Sequence, residues 1–338
     1  MNNVIIPEDY SSPLNLIETE VAVKLIKDTF ERRLAESLRL TRVSAPLFLL
    51  KNTGLNDNLN GVERPVSFTA PSLNEDEDIE IIHSLAKWKR DALYRYHFEP
   101  HTGLYTDMNA IRRDEELDNL HSMYVDQWDW EMVITKEDRT IEFLKKTVKK
   151  IYRCLLDVEF TVVRHYPQLG KPILPEEITF VTTQELEDAY PDLSPKEREN
   201  KAARQYKAVC VMEIGDTLKS GQKHDGRAPD YDDWHLNCDI LVYNVVLDQA
   251  LELSSMGIRV DADTLKTQLK KAGCEDRLNL PFHQNIINNV LPLSIGGGIG
   301  QSRICMFFLR KCHIGEVQAS LWDDETKETC AAHHVDLL

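Results

Sequence analysis

The sequence predicts an α+β fold in which a mixed, mainly antiparallel β-sheet is flanked by helices. Strand-like segments follow one another along the chain, at Ile178–Val181, Ala208–Glu213, Ile240–Tyr243 and Ile258–Val260. They do not alternate regularly with helices, as the strands of a parallel, doubly wound sheet would. The chain has no internal repeat and no long linker rich in Pro, Gly or Ser. We therefore expect residues 1–338 to form a single domain.

Helices are predicted where apolar residues recur at three- or four-residue spacing. In segment 14–40 they form a stripe that repeats every four residues, at Ile26, Phe30, Leu34 and Leu38. Further helical segments are His83–Tyr94, Ile141–Arg164 and Asp263–Ala272. At 194–197 the order Ser-Pro-Lys-Glu is a capping box, which predicts the start of another helix.

Two further extended segments are predicted in the first third of the chain. Pro65–Ala70 and Ile79–His83 have the pattern of a hairpin around an acidic turn at 74–78. The segment that ends at Pro46 is also expected to be extended, because the residue before a proline is biased away from the helical region.

Composition narrows the class of protein. The formal net charge of −16 weighs against a surface that binds nucleic acid, since such surfaces need clustered Lys and Arg. Seven cysteines without a Cys-x-x-Cys pair indicate reduced thiols rather than a zinc site. The N-terminus lacks the pattern of a signal peptide, and the apolar runs are too short to span a membrane. We expect a cytoplasmic protein without a membrane or nucleic-acid partner.

A glycine-rich segment precedes a predicted helix at Gly296–Arg303, which reads Gly-Gly-Gly-Ile-Gly-Gln-Ser-Arg. It is neither a P-loop, because no Lys-Ser or Lys-Thr follows, nor a dinucleotide fingerprint, because Arg303 occupies the third glycine position. Glycines allow a nucleotide to approach the backbone closely, and Arg303 adds a fixed cation there. Taken alone, such a segment is more often a glycine turn that caps a packed helix.

A second candidate site segment runs from Ile111 to Glu131. Arg112 precedes an acidic loop, and a strand-like stretch follows in which side chains alternate between two faces. Alternation places Gln127 and Asp129 on one face, and Asp126, Trp128 and Trp130 on the other. Polar groups on one strand face, backed by tryptophans, favour a polar ligand.

A third segment carries two carboxylates. Asp239 begins one strand-like run, Glu252 lies in the next, and Arg259 follows Glu252 by seven residues. Carboxylates on two neighbouring strands are suited to Mg²⁺, because hard cations prefer oxygen ligands.

In this order, the three segments resemble the catalytic motifs of class II aminoacyl-tRNA synthetases of the aspartate/asparagine branch. A finer resemblance is to ammonia-dependent asparagine synthetases, the A type of aspartate–ammonia ligase. It is carried by residues 83–90, 125–131, 227–234 and 253–263. The resemblance implies a catalytic domain with a class II synthetase-like core, which pairs as a homodimer through the 14–40 stripe and the strand ending at Pro46.

The resemblance also implies roles for individual residues. Arg112 and Arg303 are the expected catalytic residues, and they bind ATP together with Gly298 and Gly300; Arg113 remains the alternative to Arg112. Asp239 and Glu252 are the expected ligands of the Mg²⁺ that accompanies ATP. The residues expected to bind L-aspartate are Asp57, Ser84, Lys89, Gln127, Asp129, Asp232, Ser254, Ser255 and Arg259. Lys87 is expected to face solvent, and the segment between Trp234 and Asp239 to be a shortened loop.

The implied reaction is amidation of aspartate by ammonia through β-aspartyl-adenylate, which yields asparagine, AMP and pyrophosphate. The alternative is a paralogue of aspartyl- or asparaginyl-tRNA synthetase. A non-enzymatic relative would be expected to lose Arg112, Glu252 or Arg303, and all three are present. The glutamine-dependent type needs a cysteine as its mature first residue, whereas position 2 is Asn2. The group that deprotonates ammonium stays open.

Overall fold

The computed structural model describes residues 4–57, 59, 63–73 and 78–338. Within these residues, eight strands form one sheet in the order β1-β5-β6-β11-β10-β9-β8-β7, and three short strands form a second sheet in the order β2-β4-β3. The strands are β1 Leu40–Arg42, β2 Phe48–Leu50, β3 Ser67–Phe68, β4 Ile79–Ile81, β5 Gly103–Ile111, β6 Tyr124–Val133, β7 Thr179–Thr182, β8 Ala208–Met212, β9 Asp232–Asn244, β10 Gln249–Arg259 and β11 Ser294–Gly300.

The helices of the described residues precede, interrupt and follow these strands. They are α1 Leu16–Leu38, α2 Ala86–Arg95, α3 Ile141–His165, α4 Thr183–Ala189, α5 Pro195–Tyr206, α6 Ala262–Lys271, α7 Pro281–Ile287, α8 Gln301–Phe308 and α9 Asp324–Ala332. The capping box at Ser194 is present at the start of α5. In the described chain, none of these helices has the length and apolarity needed to span a membrane.

The large sheet is antiparallel through its middle and parallel only at its two ends. The β1–β5 and β7–β8 pairs are parallel, and all the pairs between them are antiparallel. The predicted α+β class with a mixed, mainly antiparallel sheet is therefore confirmed. The hairpin is confirmed as well, since β3 pairs antiparallel with β4; residues 74–77 of its predicted turn lie outside the described residues.

Helix α1 contributes its apolar stripe to the core of its own chain. Ile26, Phe30, Leu34 and Leu38 are at most 1% exposed, and the Phe30 ring lies 4.9 Å from that of Trp128 on β6. Helix α3 contributes to the same core through Val148 and its neighbours. The prediction that this stripe forms the interface of a dimer is therefore wrong, because a side chain buried by its own sheet is not available to a second copy. Strand β1, which was predicted to extend to Pro46, ends at Arg42.

Several strands were predicted too short or not at all. Strands β9 and β10 are 13 and 11 residues long, so the segment between Trp234 and Asp239 is part of β9 and not a shortened loop. The glycines Gly296–Gly300 belong to β11, in the middle of the sheet, and not to a turn. Glycine has a low strand propensity, which is why the sequence pattern hid this strand. Strand β5 was missed entirely.

Candidate active site

A cavity of about 680 Å³ opens over the central strands of the large sheet. Its floor comes from β6, β11, β10 and β9, and its walls come from the start of α2, the segment 112–122 and the segment 225–232. The lining includes all but one of the residues that the sequence analysis selected, namely Asp57, Ser84, Lys89, Arg112, Gln127, Asp129, Asp232, Asp239, Glu252, Ser255, Arg259, Gly298, Gly300 and Arg303.

Ser254 is the exception. Its hydroxyl donates to the Gly298 carbonyl oxygen at 3.0 Å across the β10–β11 pair, and the residue does not line the cavity. The cause is an irregularity between Glu252 and Ser254, where the register with β9 shifts. A β-bulge places an extra residue in the strand, so the face that Glu252 begins continues at Ser255. The prediction that Ser254 contacts the substrate is wrong on this geometry.

Arg259 lies at the centre of a buried charge cluster. Its Nε and Nη2 donate to the two Glu131 carboxylate oxygens at 2.9 and 2.7 Å, and its Nη1 donates to Asp232. Burial would raise the pKa of Glu131, but the charge and hydrogen bonds of Arg259 outweigh it and hold that pKa below its ordinary value. A guanidinium has five N–H groups. Two donors of Arg259 therefore remain available to a ligand in the cavity.

Lys89 and Asp129 form a second buried pair on the same side. Lys89 Nζ lies 3.4 Å from Asp129 Oδ2 and donates to the Gly297 carbonyl oxygen at 2.8 Å. Burial lowers the pKa of Lys89 and raises that of Asp129, so both pKa shifts favour the neutral form of the side chain. The pair therefore does not fully replace the water that burial removes. A ligand that carries both charges, such as an amino acid, has the complementary groups.

The missing side chains of two glycines leave room for these polar groups. A Cβ at Gly298 would lie 2.8 Å from Asp129 Oδ1 and would also meet the Gln127 amide. At Gly296 it would meet the Glu131 carboxylate. Side chains of β6 therefore cross over the glycine strand to reach Arg259 and the cavity, and this crossing explains why β11 needs glycine.

The other side of the cavity carries two arginines that are not fully paired. Arg303, in the first turn of α8, donates to the Glu252 carbonyl oxygen at 3.2 Å, and its Nη1 also lies 4.0 Å from the Glu252 carboxylate. Arg112 follows β5, and its Nε is buried without a hydrogen-bond partner within the described chain. Arg113 lines the same cavity but is exposed. Guanidinium groups that keep free donors are suited to an anionic ligand such as phosphate.

Asp239 and Glu252 lie on the neighbouring strands β9 and β10, as predicted. Arg227 Nη2 donates to Asp239 Oδ1 at 2.6 Å, and Arg227 also contacts Ser255. Burial, and then the charge of Glu252, raises the pKa of Asp239 to about 7, although Arg227 opposes this shift. Two close carboxylates are a set of hard oxygen donors that suits Mg²⁺. No group of three or more His, Cys, Asp or Glu within the described ranges has the arrangement of a metal site, so a cation would need further oxygens from its substrate.

One buried lysine contradicts the expectation from the sequence, and three further residues of the site region were not selected from it. Lys87, expected to face solvent, is 2% exposed and its Nζ lies 3.0 Å from the buried Asp230 carboxylate. His283 Nε2 also lies 3.0 Å from that carboxylate. Arg227 was not selected from the sequence, nor was Glu131, although both lie in segments that carried the resemblance. Both could have been noticed in the sequence as charged residues within those segments. Only the packing shows that Arg227 pairs with Asp239 and that Glu131 pairs with Arg259.

The chain resembles known proteins along almost its entire length. The profile of the aspartate–ammonia ligase family matches residues 17–334. The aspartate–ammonia ligase of Ruminiclostridium cellulolyticum is 63% identical over 338 residues, which cover 100% of both chains. That of Lactiplantibacillus plantarum is 58% identical over 320 residues, 95% of this chain and 99% of the relative.

Solved structures of lower identity share the fold. Entamoeba histolytica asparaginyl-tRNA synthetase in complex with asparaginyl-adenylate matches with a TM-score of 0.66 at 13% identity, covering 93% of this chain and 72% of that chain. The aspartyl-tRNA synthetase of the same organism matches with a TM-score of 0.61 at 14% identity, covering 91% and 59%. Similarity at this level shows the fold alone, and it confirms the predicted class II synthetase-like architecture.

Proposed function

Because the chain belongs to the aspartate–ammonia ligase family, we propose that its cavity over β6, β11, β10 and β9 is the site where aspartate is activated and amidated. The protein is a ligase that joins aspartate and ammonia in asparagine biosynthesis, and ATP use follows from the family. What remains to be assigned is which residues perform each step. The observation that carries the assignment is that one cavity contains both paired charges that suit an amino acid and two arginines, not fully paired, that suit a phosphate.

Aspartate occupies the end of the cavity formed by β6, α2 and β10. Two free N–H groups of Arg259 receive one carboxylate, and Lys89 gives a second cation near it. The α-ammonium group of aspartate faces Asp129 and Asp57, whose carboxylates are buried. Gln127, Asp232, Ser84 and Ser255 complete the polar wall. Opposite charges at fixed positions select a zwitterion with an additional carboxylate over smaller amino acids.

ATP occupies the other end. Arg112 and Arg303 hold its phosphates, and the backbone of Gly298 and Gly300 gives it a flat surface. Asp239 and Glu252 would hold the Mg²⁺ that accompanies ATP, and this cation would neutralise phosphate charge as the reaction proceeds. Arg227 donates a hydrogen bond to the Asp239 carboxylate, which Arg227 and the metal would therefore have to share.

The reaction proposed for this arrangement proceeds through an acyl-adenylate. The β-carboxylate of aspartate attacks the α-phosphorus of ATP, and pyrophosphate leaves. Ammonia then attacks the activated acyl carbon, and AMP leaves with the electron pair of the broken C–O bond. None of the selected residues needs to act as a nucleophile. The protein contributes alignment and charge stabilisation, which are large effects when donors are fixed before the reaction begins.

The alternative function is aminoacylation of tRNA by a paralogue. The structures that would favour it are only 11–14% identical to this chain, whereas the ligases are 58–63% identical. We propose that residues 1–338 act as one catalytic domain that needs no nucleic acid. We further propose a cytoplasmic enzyme, supported by the observation that all seven cysteines are free thiols.

Aspartate alone is expected to support exchange of labelled pyrophosphate into ATP. The reason is that adenylate formation needs only the ATP and aspartate groups of the cavity, not ammonia or tRNA. The measurement is incorporation of label into ATP with Mg²⁺ and aspartate, with asparagine and glutamate as control substrates. Exchange that requires tRNA, or formation of ADP during amidation, would contradict the adenylate.

We also propose a homodimer, with an interface that differs from the buried stripe. The outer side of α1 exposes Ile17 and Val21, and the small sheet exposes Phe48 and Phe68, whose rings lie 5.8 Å apart. Apolar side chains grouped on the surface in this way are typical of subunit contacts.

Phe48→Glu is therefore expected to shift sedimentation from dimer to monomer, because a charge replaces an apolar contact. Leu321→Glu, at an apolar residue that is 75% exposed elsewhere on the chain, is the matched control and should stay dimeric. A wild-type monomer at micromolar concentration would reject the homodimer.

A further inference from the structure

Amidation requires a group that removes a proton from ammonium, since ammonium has no lone pair with which to attack. Such a group must lie in the cavity, carry a free lone pair, and sit at the aspartate end. Two carboxylates there already accept hydrogen bonds, Asp232 from Arg259 and Asp57 from Ser84 Oγ at 2.9 Å. Asp129 Oδ2 has no hydrogen-bond partner among the described residues, but it lies 3.4 Å from the Lys89 ammonium. A nitrogen base without a partner is a better candidate.

His83 has the required geometry. It lines the cavity, is 1% exposed, and its Nε2 has no hydrogen-bond partner within the described residues. Its Nδ1 lies 3.2 Å from the Asp57 carbonyl oxygen. A carbonyl oxygen can only accept, so this hydrogen bond requires the proton on Nδ1. In the neutral ring, Nε2 is then left with a bare lone pair.

The position of His83 is fixed by its neighbours. The Asn56 amide oxygen accepts from the His83 backbone N–H at 3.0 Å, and the next residue, Ser84, donates to the Asp57 side chain. The loop that contains Asp57 is thereby joined to the residues just before α2. Three other histidines in the described part of the chain also have a buried ring nitrogen without a partner, namely His224, His283 and His313. Of these four histidines only His83 lines the cavity, where a ligand can reach it.

We propose that His83 Nε2 is the general base that takes the proton from ammonium; this rests on the proposed function, because it concerns the second half of that reaction. The charged and titratable groups that line the same end are Asp57, Lys89, Asp129, Tyr231, Asp232 and Arg259. Asp57 and Asp129 face the α-ammonium of bound aspartate in the proposed arrangement, and the imidazole accepts the proton of the incoming ammonium ion.

The proton transfers balance as follows. Ammonium gives one proton to Nε2, and its N–H bond pair becomes the lone pair of ammonia. That lone pair forms a C–N bond to the β-acyl carbon of the adenylate. The acyl C–O bond breaks, and its electrons leave with the AMP phosphate. The attacking nitrogen loses a second proton to that phosphate oxygen, and the His83 imidazolium returns its own proton to water.

The test uses a nucleophile that needs no deprotonation. His83→Asn keeps a donor at the Nδ1 position, and so keeps the bond to the Asp57 carbonyl, but it has no base. With ammonium at neutral pH, kcat/KM is expected to fall by about 100-fold or more, within the usual contribution of a general base. With hydroxylamine, which is neutral at that pH, the same variant should retain most of its activity. Pyrophosphate exchange with aspartate should also persist.

Two further arms separate a chemical role from a structural one. The deficit of His83→Asn with ammonium should shrink as pH rises and free ammonia becomes abundant. His83→Gln, which places an amide near Nε2, should behave like His83→Asn. As a matched control, His101→Gln changes an exposed histidine outside the cavity and should behave like wild type.

The outcomes are decisive. A variant that turns over ammonium like wild type, or that loses ammonium and hydroxylamine equally while exchange persists, overturns the role of His83. Absence of exchange in the wild-type enzyme would instead overturn the adenylate mechanism, and with it the proposed function. If His83→Asn fails to fold, His83→Gln carries the same comparison.

Discussion

Arg259→Met is expected to lower the free energy of unfolding by about 3–5 kcal/mol, because it leaves buried carboxylates without their partner. Arg259 is 2% exposed and donates to both Glu131 and Asp232, which are themselves buried. The measurement is urea unfolding followed by fluorescence. Lys24→Ala, which removes an exposed pair with Asp28, is the control and should leave stability close to unchanged. A loss as small as the control's would mean that Glu131 and Asp232 become protonated or hydrated at little cost.

The milder change Arg259→Lys separates binding from folding. Lysine keeps the positive charge, but it lacks the planar guanidinium. That guanidinium pairs with Glu131 and at the same time has N–H groups left for a ligand. The Michaelis constant for aspartate should rise roughly ten- to hundred-fold, from about 1.5–3 kcal/mol of lost charge-assisted hydrogen bonding. That for ATP should stay nearly unchanged. The reverse pattern would assign Arg259 to the nucleotide.

Glu252→Gln is expected to lower kcat by about 100-fold or more, since it removes a charge proposed to face Mg²⁺ and the phosphates. Its side chain is 40% exposed, so the fold should be intact by circular dichroism. Binding of Mn²⁺ in the presence of a non-hydrolysable ATP analogue, followed by electron paramagnetic resonance, should weaken in parallel. Glu177→Gln, an exposed carboxylate outside the cavity, is the control and should behave like wild type. Near-normal turnover of this variant would mean that Glu252 is a surface carboxylate without a role in holding Mg²⁺.

The class of fold and most of the candidate site could be predicted from patterns in the sequence. Helix-period stripes and caps are local patterns, so α1, α3 and α5 could be read from neighbouring residues. Arg112, Glu252, Arg259 and Arg303 could be selected because cations and carboxylates stood at the spacing of a recognisable set of motifs. All four line the cavity.

Other features depend on contacts between residues far apart in the chain, and they became visible only in the folded structure. A periodic stripe shows that α1 buries one face, but not that the face meets Trp128 in the same chain rather than a second copy. The resemblance implied contacts from both Ser254 and Ser255, whereas the shift in the β9–β10 register places only Ser255 in the lining of the cavity. The free Nε2 of His83 exists because the Asp57 carbonyl, 26 positions away, fixes the other ring nitrogen. Periodicity and spacing carry no information about such pairings, because they arise only when the chain packs.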